Sequence, residues 1–465
     1  MSSARRRSTT PCVPCCACVG IGSAPPALGT PRPGIARMLQ YHMPTTDSSR
    51  DRGAMVQCRN CRSAGLSPLY DFGELPLGGY LLPTAALARQ APRFVNALAI
   101  CGACGLVQQA SDSAREALVE FVYSNYQPTY SMSAAVRAYQ ESLLDAAVKL
   151  SGVQTGDAVI EIGSNDGYVL GLLKQRSLAP VGFDPSIDPA LARSGVRTFR
   201  EYFGAASARR FAGTHGTVKL VISRHTLEHA FEPVDFVEGI AAVLAPDGVA
   251  VLEVPYLQLQ MMNNQFQSMS VQHVCFFTLS ALSNMFGRVG LRVRDAWFCQ
   301  MDGGSVVVCA DQRRPAGAEG ERAAQIESVE QLLRLHDAAG FGQFFADVAR
   351  QRAQIRALMT EYARMGRRIV AYGAGGKGQA LLNLLGLDTH LIPYVIDDTP
   401  GYMGKYVPGV GTEVVARDDP RAGDASMVLI TAPTHIREIV QRDRETRGKD
   451  RLYVATAPRF HIVET

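Results

Sequence analysis

Two stretches of this chain, DAVIEIGSNDGYVLGLL from Asp157 and RRIVAYGAGGKGQALLNLLG from Arg367, follow the same local pattern. Each is a short apolar run, then a glycine turn, then an apolar pattern at helical spacing. A strand that passes into a helix through such a turn belongs to a parallel sheet covered by helices on both faces. Glycine is needed where the backbone must approach a ligand closely, because a Cβ would obstruct it. With 465 residues the chain is too long for one ordinary core, so the two turns predict two separate α/β units.

The turns differ in detail. In the first, a strand over Ala158–Ile162 ends beside Glu161, and Gly163 and Gly167 bracket a loop containing Asn165 in a G-x-x-x-G spacing. A following strand, PVGFDPS, ends at Asp184, where a carboxylate suits two ribose hydroxyls. KLVISRHTLEHAFEPVDFV then reads as a strand and helix, and LAPDGVAVLEVP as a strand introduced by a P-D-G turn. The second turn places Gly373, Gly375 and Gly378 in G-x-G-x-x-G spacing, with Asp397 further on. Alone, that is the dinucleotide fingerprint, so a nicotinamide-dependent oxidoreductase is one reading. The other is that the loop amides at Gly375, with Lys377, bind a phosphate of a second substrate, as a helix N-terminus can. Between the units, roughly Ala323–Met365 is apolar at helical spacing and predicts a long helical stretch.

The cysteines indicate a third unit. Cys58-Arg-Asn-Cys61 and Cys101-Gly-Ala-Cys104 are two C-x-x-C pairs, and four thiolates are the tetrahedral set of a structural Zn²⁺. Gly102 and Gly105 suit tight turns that aim both sulfurs of a pair at one ion. The wide gap between the pairs predicts a strand-rich insert, LSPLYDFGELPLGGYLLP. The other cysteines are scattered or crowd the N-terminus, which suits a reducing compartment, so a cytoplasmic location is expected. Residues 1–54 read as a disordered extension, or as an upstream start with Met38, Met43 or Met55 as later choices.

A formal charge of +4, with no Lys/Arg-rich run after the first fifty residues, argues against nucleic acid or an anionic membrane as main partner. No apolar run approaches the ~20 residues of a bilayer span. The expected partner is a small molecule, and the chain is expected to be a monomer or homodimer.

E-I-G-S-N-D-G followed by G-F-D resembles the S-adenosylmethionine (SAM)-binding core of class I methyltransferases. The order of parts from Cys58 to the C-terminus resembles the sugar C-methyltransferases, which act on nucleotide-linked deoxysugars. C-x-x-C-x-S, DFGELPLGGYL, CGACGLVQ, YSNYQPTYSMS, LEH at 227–229 and AYGAGGKGQALLNLLG carry that resemblance. It implies an α/β fold: a class I doubly wound sheet (151–315) behind a four-cysteine zinc module (55–112) and a tyrosine-rich bridge (113–150). A helical linker (316–366) then leads to a Rossmann-like acceptor domain (367–465). Zinc on Cys58, Cys61, Cys101 and Cys104 is implied, with SAM on Glu161, Gly163, Asn165, Gly167 and Asp184. His273, His229 and Tyr126 are implied in catalysis, with a histidine as base, and Gln272, Gly375 and Lys377 on the acceptor. The family usually reads Y-H-E-H where this chain has Ser270-Val271-Gln272-His273, and H-G-G-S where it has Asp302-Gly303-Gly304-Ser305. Gln272 can orient an imidazole but cannot stabilise an imidazolium as a carboxylate would. These departures keep O-, N-, S- or C-methylation of a non-sugar small molecule as an alternative.

Overall fold

The computed structural model describes residues 56–119, 134–186, 196–312, 320–448 and 451–463. Tyr123, Tyr126 and Tyr130 of the bridge lie outside the described residues. Three sheets form the frame.

The first sheet fills the gap between the cysteine pairs. β1 (Leu66–Pro76), β2 (Arg93–Cys101) and β3 (Val107–Gln109) pair antiparallel in sequence order. Its fourth strand comes from far down the chain, where Cys275 and Phe276 pair with Gln108 and Val107.

The second sheet begins with β4 (Ala158–Ile162), β5 (Ala179–Phe183), β6 (Arg197–Phe199), β7 (Val218–Arg224) and β8 (Leu244–Pro255). After β9 (Cys275–Phe276), which joins the first sheet, come β10 (Leu291–Cys299) and β11 (Ser305–Gln312). The order is β10-β11-β8-β7-β4-β5-β6, parallel from β8 to β6, with β11 antiparallel to both neighbours. β4 lies centrally because Val159, Ile160 and Ile162 are apolar on both faces and buried. The winding reverses between β4 and β7, which opens a crevice at the carboxyl ends of the strands. This is the class I methyltransferase sheet. The P-D-G turn lies within β8 as an irregularity: Val218 pairs with Leu244, but Leu220 pairs with Val249.

The third sheet is Rossmann-like. β12 (Ile369–Tyr372), β13 (Tyr394–Ile396), β14 (Glu413–Val415), β15 (Met427–Ile430), β16 (Leu452–Ala455) and β17 (His461–Ile462) order as β14-β13-β12-β15-β16-β17. All pair parallel except β17.

The long helical stretch expected between the second and third sheets is two helices, Glu321–Leu332 and Gly342–Arg364. Arg334 turns left-handed at φ 57°, and the Asp337 carboxylate accepts from Ala339 N–H to start the next turn. The break lets the two helices serve different cores. Buried Glu330 of the first accepts from the N–H groups of Leu279 and Ser280, at the start of the helix Leu279–Arg288. Phe345, Val348, Ile355 and Met359 of the second join a core with β12 and β15. That core also takes in Phe72 and Leu75 of β1, and a second core joins Leu66 of β1 and Phe94 of β2 to Ile160 of β4 and Val221 of β7, so the three sheets are packed as one body.

Candidate active site

The four cysteines converge. Cys58 Sγ lies 3.5 Å from Cys104 Sγ, and Cys61 Sγ 3.5 Å from Cys101 Sγ. These gaps are far too long for S–S bonds of about 2.05 Å and suit thiolates sharing one tetrahedral ion at about 2.3 Å. The two knuckles close alike: Arg62 N–H donates to Cys58 O and Gly105 N–H to Cys101 O, each at 2.9 Å. The residue that closes each turn has positive φ, 62° at Arg62 and 71° at Gly105. Gly105 is thus used as the sequence predicts. Gly102 is not among the positive-φ glycines, and the first knuckle manages with Arg62.

At the end of β4 the chain enters the first glycine turn. Gly163 has φ 73°, and a Cβ there would lie 2.2 Å from Thr226 Oγ1, so only glycine fits. Asn165 (φ 50°) and Gly167 (φ 72°) complete the turn, and Gly167 caps the helix Tyr168–Gln175. Asp184, after β5, fastens the loop: Oδ2 accepts from Asn165 N–H at 2.8 Å, and Oδ1 from Ser186 N–H and Oγ at 2.7 and 2.6 Å. Oδ2 keeps a lone pair for a ligand. Buried Glu161 Oε2, Asn165 Oδ1 and Asp166 Oδ2 have no partner among the described residues, so the cradle is built around polar atoms awaiting one. Burial, with Arg224 opposing it, pushes the Glu161 carboxyl up to about 8. A cavity of about 430 Å³ runs from this turn past Glu161, Asp184 and Arg224 to His229 and Gln272.

His229 ends the single turn Leu227–His229 that follows β7. Its Nδ1 lies 2.8 Å from the Gln272 carbonyl oxygen. A carbonyl only accepts, so Nδ1 carries a proton, which in the neutral tautomer puts the lone pair on Nε2. The His273 ring stands 5.0 Å from that of His229, edge to face. His273 Nδ1 is buried without a hydrogen-bond partner among the described residues. Burial and the neighbouring His229 pull the His273 imidazole down to about 4, so it is neutral at physiological pH.

Gln272 differs from the expected imidazole-orienting role. Its side chain reaches the zinc module: Gly78 N–H donates to Oε1 at 3.3 Å and Nε2 donates to Gly78 O at 3.2 Å. It is the main-chain carbonyl of Gln272 that orients an imidazole, that of His229. The second glycine turn is also partly committed within the protein. Asp397 Oδ2 accepts from Ala374 N–H at 2.6 Å, much as Asp184 staples the first turn. Gly375 precedes the helix Gly376–Leu385, whose first residue packs on Gly78 and Gly79. Lys377 is not presented freely to solvent. Its Nζ lies 2.6 Å from Asp302 Oδ1 and 2.7 Å from Asp302 O, which ties the third sheet to the turn before β11.

Sequence reasoning gave no role to three buried residues behind the histidines. Glu228 precedes His229, His225 follows β7, and Glu253 lies on β8 opposite Arg224. The run SRHTLEH, with two histidines and a glutamate in five residues at a strand end, was the available signal.

A sheet of class I order, a glycine cradle with orphaned polar atoms and a separate four-thiolate cluster define a SAM-dependent methyltransferase carrying zinc. Sequence comparison agrees along the chain. A zinc-binding domain family matches residues 58–118, a methyltransferase domain family 135–296 and the C-methyltransferase C-terminal domain family 300–458. The C-methyltransferase NovU of Streptomyces niveus is 29% identical over 413 residues, spanning 88% of this chain and 96% of that protein. The chain is a SAM-dependent C-methyltransferase with an N-terminal zinc module. Similar solved structures include the Synechocystis PCC 6803 magnesium protoporphyrin IX methyltransferase with bound SAH, at 14% identity and TM-score 0.32, covering 41% of this chain and 91% of that one. Another is the Burkholderia thailandensis 1,6-didemethyltoxoflavin-N1-methyltransferase, at 14% identity and TM-score 0.33, covering 45% and 96%. Among the described residues no helix is long and apolar enough to cross a membrane.

Proposed function

We propose that the chain methylates a carbon of a nucleotide-linked keto-deoxysugar, with His273 as base and His229 beside it. One observation carries this reading: an imidazole held neutral, its buried Nδ1 without a hydrogen-bond partner among the described residues, stands 5.0 Å from a second imidazole that lines the donor cavity. Bound SAM supplies an electrophilic methyl group. Glu161, Gly163, Asn165, Gly167 and Asp184 hold it, with the carboxylates accepting from hydroxyls and the glycines admitting the backbone. His273 takes the proton next to the acceptor's carbonyl, and the C–H electron pair passes to the carbonyl oxygen as an enolate. That carbon then takes the methyl group as the methyl's bond to the donor's sulfur breaks, S-adenosylhomocysteine leaves, and the proton leaves His273 for solvent after turnover. The amides from Gly375 onward bind the diphosphate, with Lys377 supplying a further N–H while it stays paired with Asp302, and Gln272 closes the pocket.

The test is incubation with SAM bearing a ¹³C-methyl group and a nucleoside-diphosphate keto-deoxyhexose. The expected product carries the label on carbon by NMR. A label found on oxygen or nitrogen overturns the reading.

Glu161 gives a second expectation. A carboxyl held near 8 is protonated at pH 7. A ligand that is cationic or donates hydroxyls favours the carboxylate, so binding must expel that proton. Affinity for S-adenosylhomocysteine should rise between pH 6 and 8, by at most about tenfold per pH unit, and level off above. Calorimetry in two buffers of different ionisation enthalpy should register proton release near pH 7. Flat affinity without proton release would remove Glu161 from the donor site.

A further inference from the structure

Gln272 cannot serve as the counter-ion of an imidazolium, yet a base that takes a proton in a buried pocket needs one. We infer that Glu228 is that counter-ion, a positioning residue for the His229–His273 pair, and that His225 is a fixed imidazolium holding Glu228 ionised. This rests on the reading of the two histidines just proposed.

The geometry is a line of alternating charge. Arg224 Nε donates to Glu253 Oε2 at 3.0 Å. His225 Nε2 lies 3.3 Å from Glu253 Oε1, and His225 Nδ1 lies 3.3 Å from Glu228 Oε1. The two glutamates are buried almost completely, and Arg224 and His225 keep 12% and 10% of their side chains exposed. A neutral imidazole has one N–H and one lone pair, so it would turn that lone pair toward one of the two carboxylates. Only the doubly protonated ring faces both favourably. Neither contact is aligned as a good hydrogen bond, so the attraction is chiefly charge on charge. His225 holds this position at φ 47°, a left-handed conformation costly for a side chain that large.

The second oxygen of Glu228 has a different outlook. Oε2 is buried with no hydrogen-bond partner among the described residues. Glu228, His229 and His273 each bring a polar atom within 4.8 Å of one another. The charged groups around these residues are His225, His229 and His273 facing Glu228, and His229, Glu228, Asp302 and Lys377 facing His273. Asp302 is already neutralised by Lys377. Glu228 is therefore the carboxylate left to respond when an imidazole charges. The same direction emerges from the titrating groups. Burial opposes charge on His225, but Glu253 and Glu228 hold it up at about 10. Burial likewise opposes charge on Glu228, but His225 and the two catalytic histidines keep it below the ordinary carboxylate range.

Two measurements test this on zinc-loaded protein. In ¹⁵N-histidine spectra at pH 8 with S-adenosylhomocysteine bound, one imidazole should remain doubly protonated, and its signal should vanish in His225→Gln. An entirely neutral histidine set at pH 8 overturns the fixed imidazolium. The second follows deuterium exchange at the carbon next to the carbonyl of a nucleoside-diphosphate keto-deoxyhexose, which reads proton abstraction alone. Glu228→Gln should slow it about thirtyfold or more through kcat. Loss of the anion weakens the base, so the acid limb of the pH profile should move to lower pH. Glu228→Asp should restore most of the rate and the wild-type limb. An unshifted limb in Glu228→Gln, while His273→Asn is inactive, overturns Glu228 alone. Exchange that survives in His273→Asn overturns the underlying base assignment instead. Metal analysis adds a further arm: the proposal expects one zinc per chain in wild type and in Glu228→Gln. A second metal that is lost in the variant would make Glu228 a ligand and overturn its role as counter-ion.

Discussion

Replacing His273 with asparagine is expected to abolish carbon methylation, with kcat falling about 10²–10⁴-fold, the usual contribution of a positioned general base. The loss should appear in kcat, because the donor cradle is assembled from Gly163 to Asp184 and does not use His273. Affinity for S-adenosylhomocysteine, measured by calorimetry, should therefore stay within about threefold of wild type (roughly 0.7 kcal/mol). The fold should tolerate the change, because Nδ1 makes no hydrogen bond that asparagine would lose and asparagine is smaller. Thermal unfolding measured alongside separates a dead site from a damaged protein. The variant also discriminates between acceptor chemistries. An acceptor whose nucleophile is an amine or thioether needs no proton removed before attack, so its methylation would survive. Carbon methylation at the wild-type rate in His273→Asn would refute the assignment.

What could be read from the sequence followed the range of the interactions. The strand Ala158–Ile162 is found with the bounds its apolar run predicts, and Gly163 must be glycine because of local φ and one close neighbour. Asp184 reaches its loop through one β-α-β unit, so its distance along the chain was enough to find it. Each knuckle is a five-residue turn and so was legible locally, while the two knuckles meet because β1 and β2 pair Leu66 with Cys101. Longer-range features were not legible. Glu253 meets Arg224 and His225 only because β7 and β8 pair in that register, and nothing in either segment announces the other. Lys377 carries a phosphate-binding look, and its partner Asp302 lies 75 residues away. The helical stretch before the third sheet hid its break, since both helices continue the same apolar rhythm while packing on different cores. The contact of Gln272 was hidden for a similar reason: its neighbour in sequence is His273, but its side chain meets Gly78, 194 residues earlier.

That last contact bears on the zinc. A closed four-thiolate site has no open position for chemistry, yet stripping the metal is expected to remove activity. The segment carrying His273 is held by the zinc module at five points. Asn96 Nδ2 donates to Met269 O at 3.0 Å, and Gln109 Nε2 donates to Ser270 O at 3.0 Å and His273 O at 3.4 Å. Gln109 N–H donates to Val274 O at 2.9 Å, and Gly78 is paired with Gln272. Cys101 is the last residue of β2, the strand that supplies Asn96, and Gln109 lies on β3 next to it. A small module of this kind draws much of its folding free energy from the metal, about 10–16 kcal/mol in isolated zinc-finger peptides. Cys101→Ser should therefore lose its zinc, loosen β2 and β3, and release the 269–274 segment. Methyl transfer should drop at least about tenfold, since a misplacement of about 1 Å can cost a hundredfold. Binding of S-adenosylhomocysteine should change much less, because the Gly163 turn is held by β4, β5 and Asp184. Metal content, donor affinity and turnover measured on one preparation test the chain of effects. A zinc-free protein with wild-type turnover would show that the module leaves His273 where it was, and the five contacts would then be packing without consequence for the reaction.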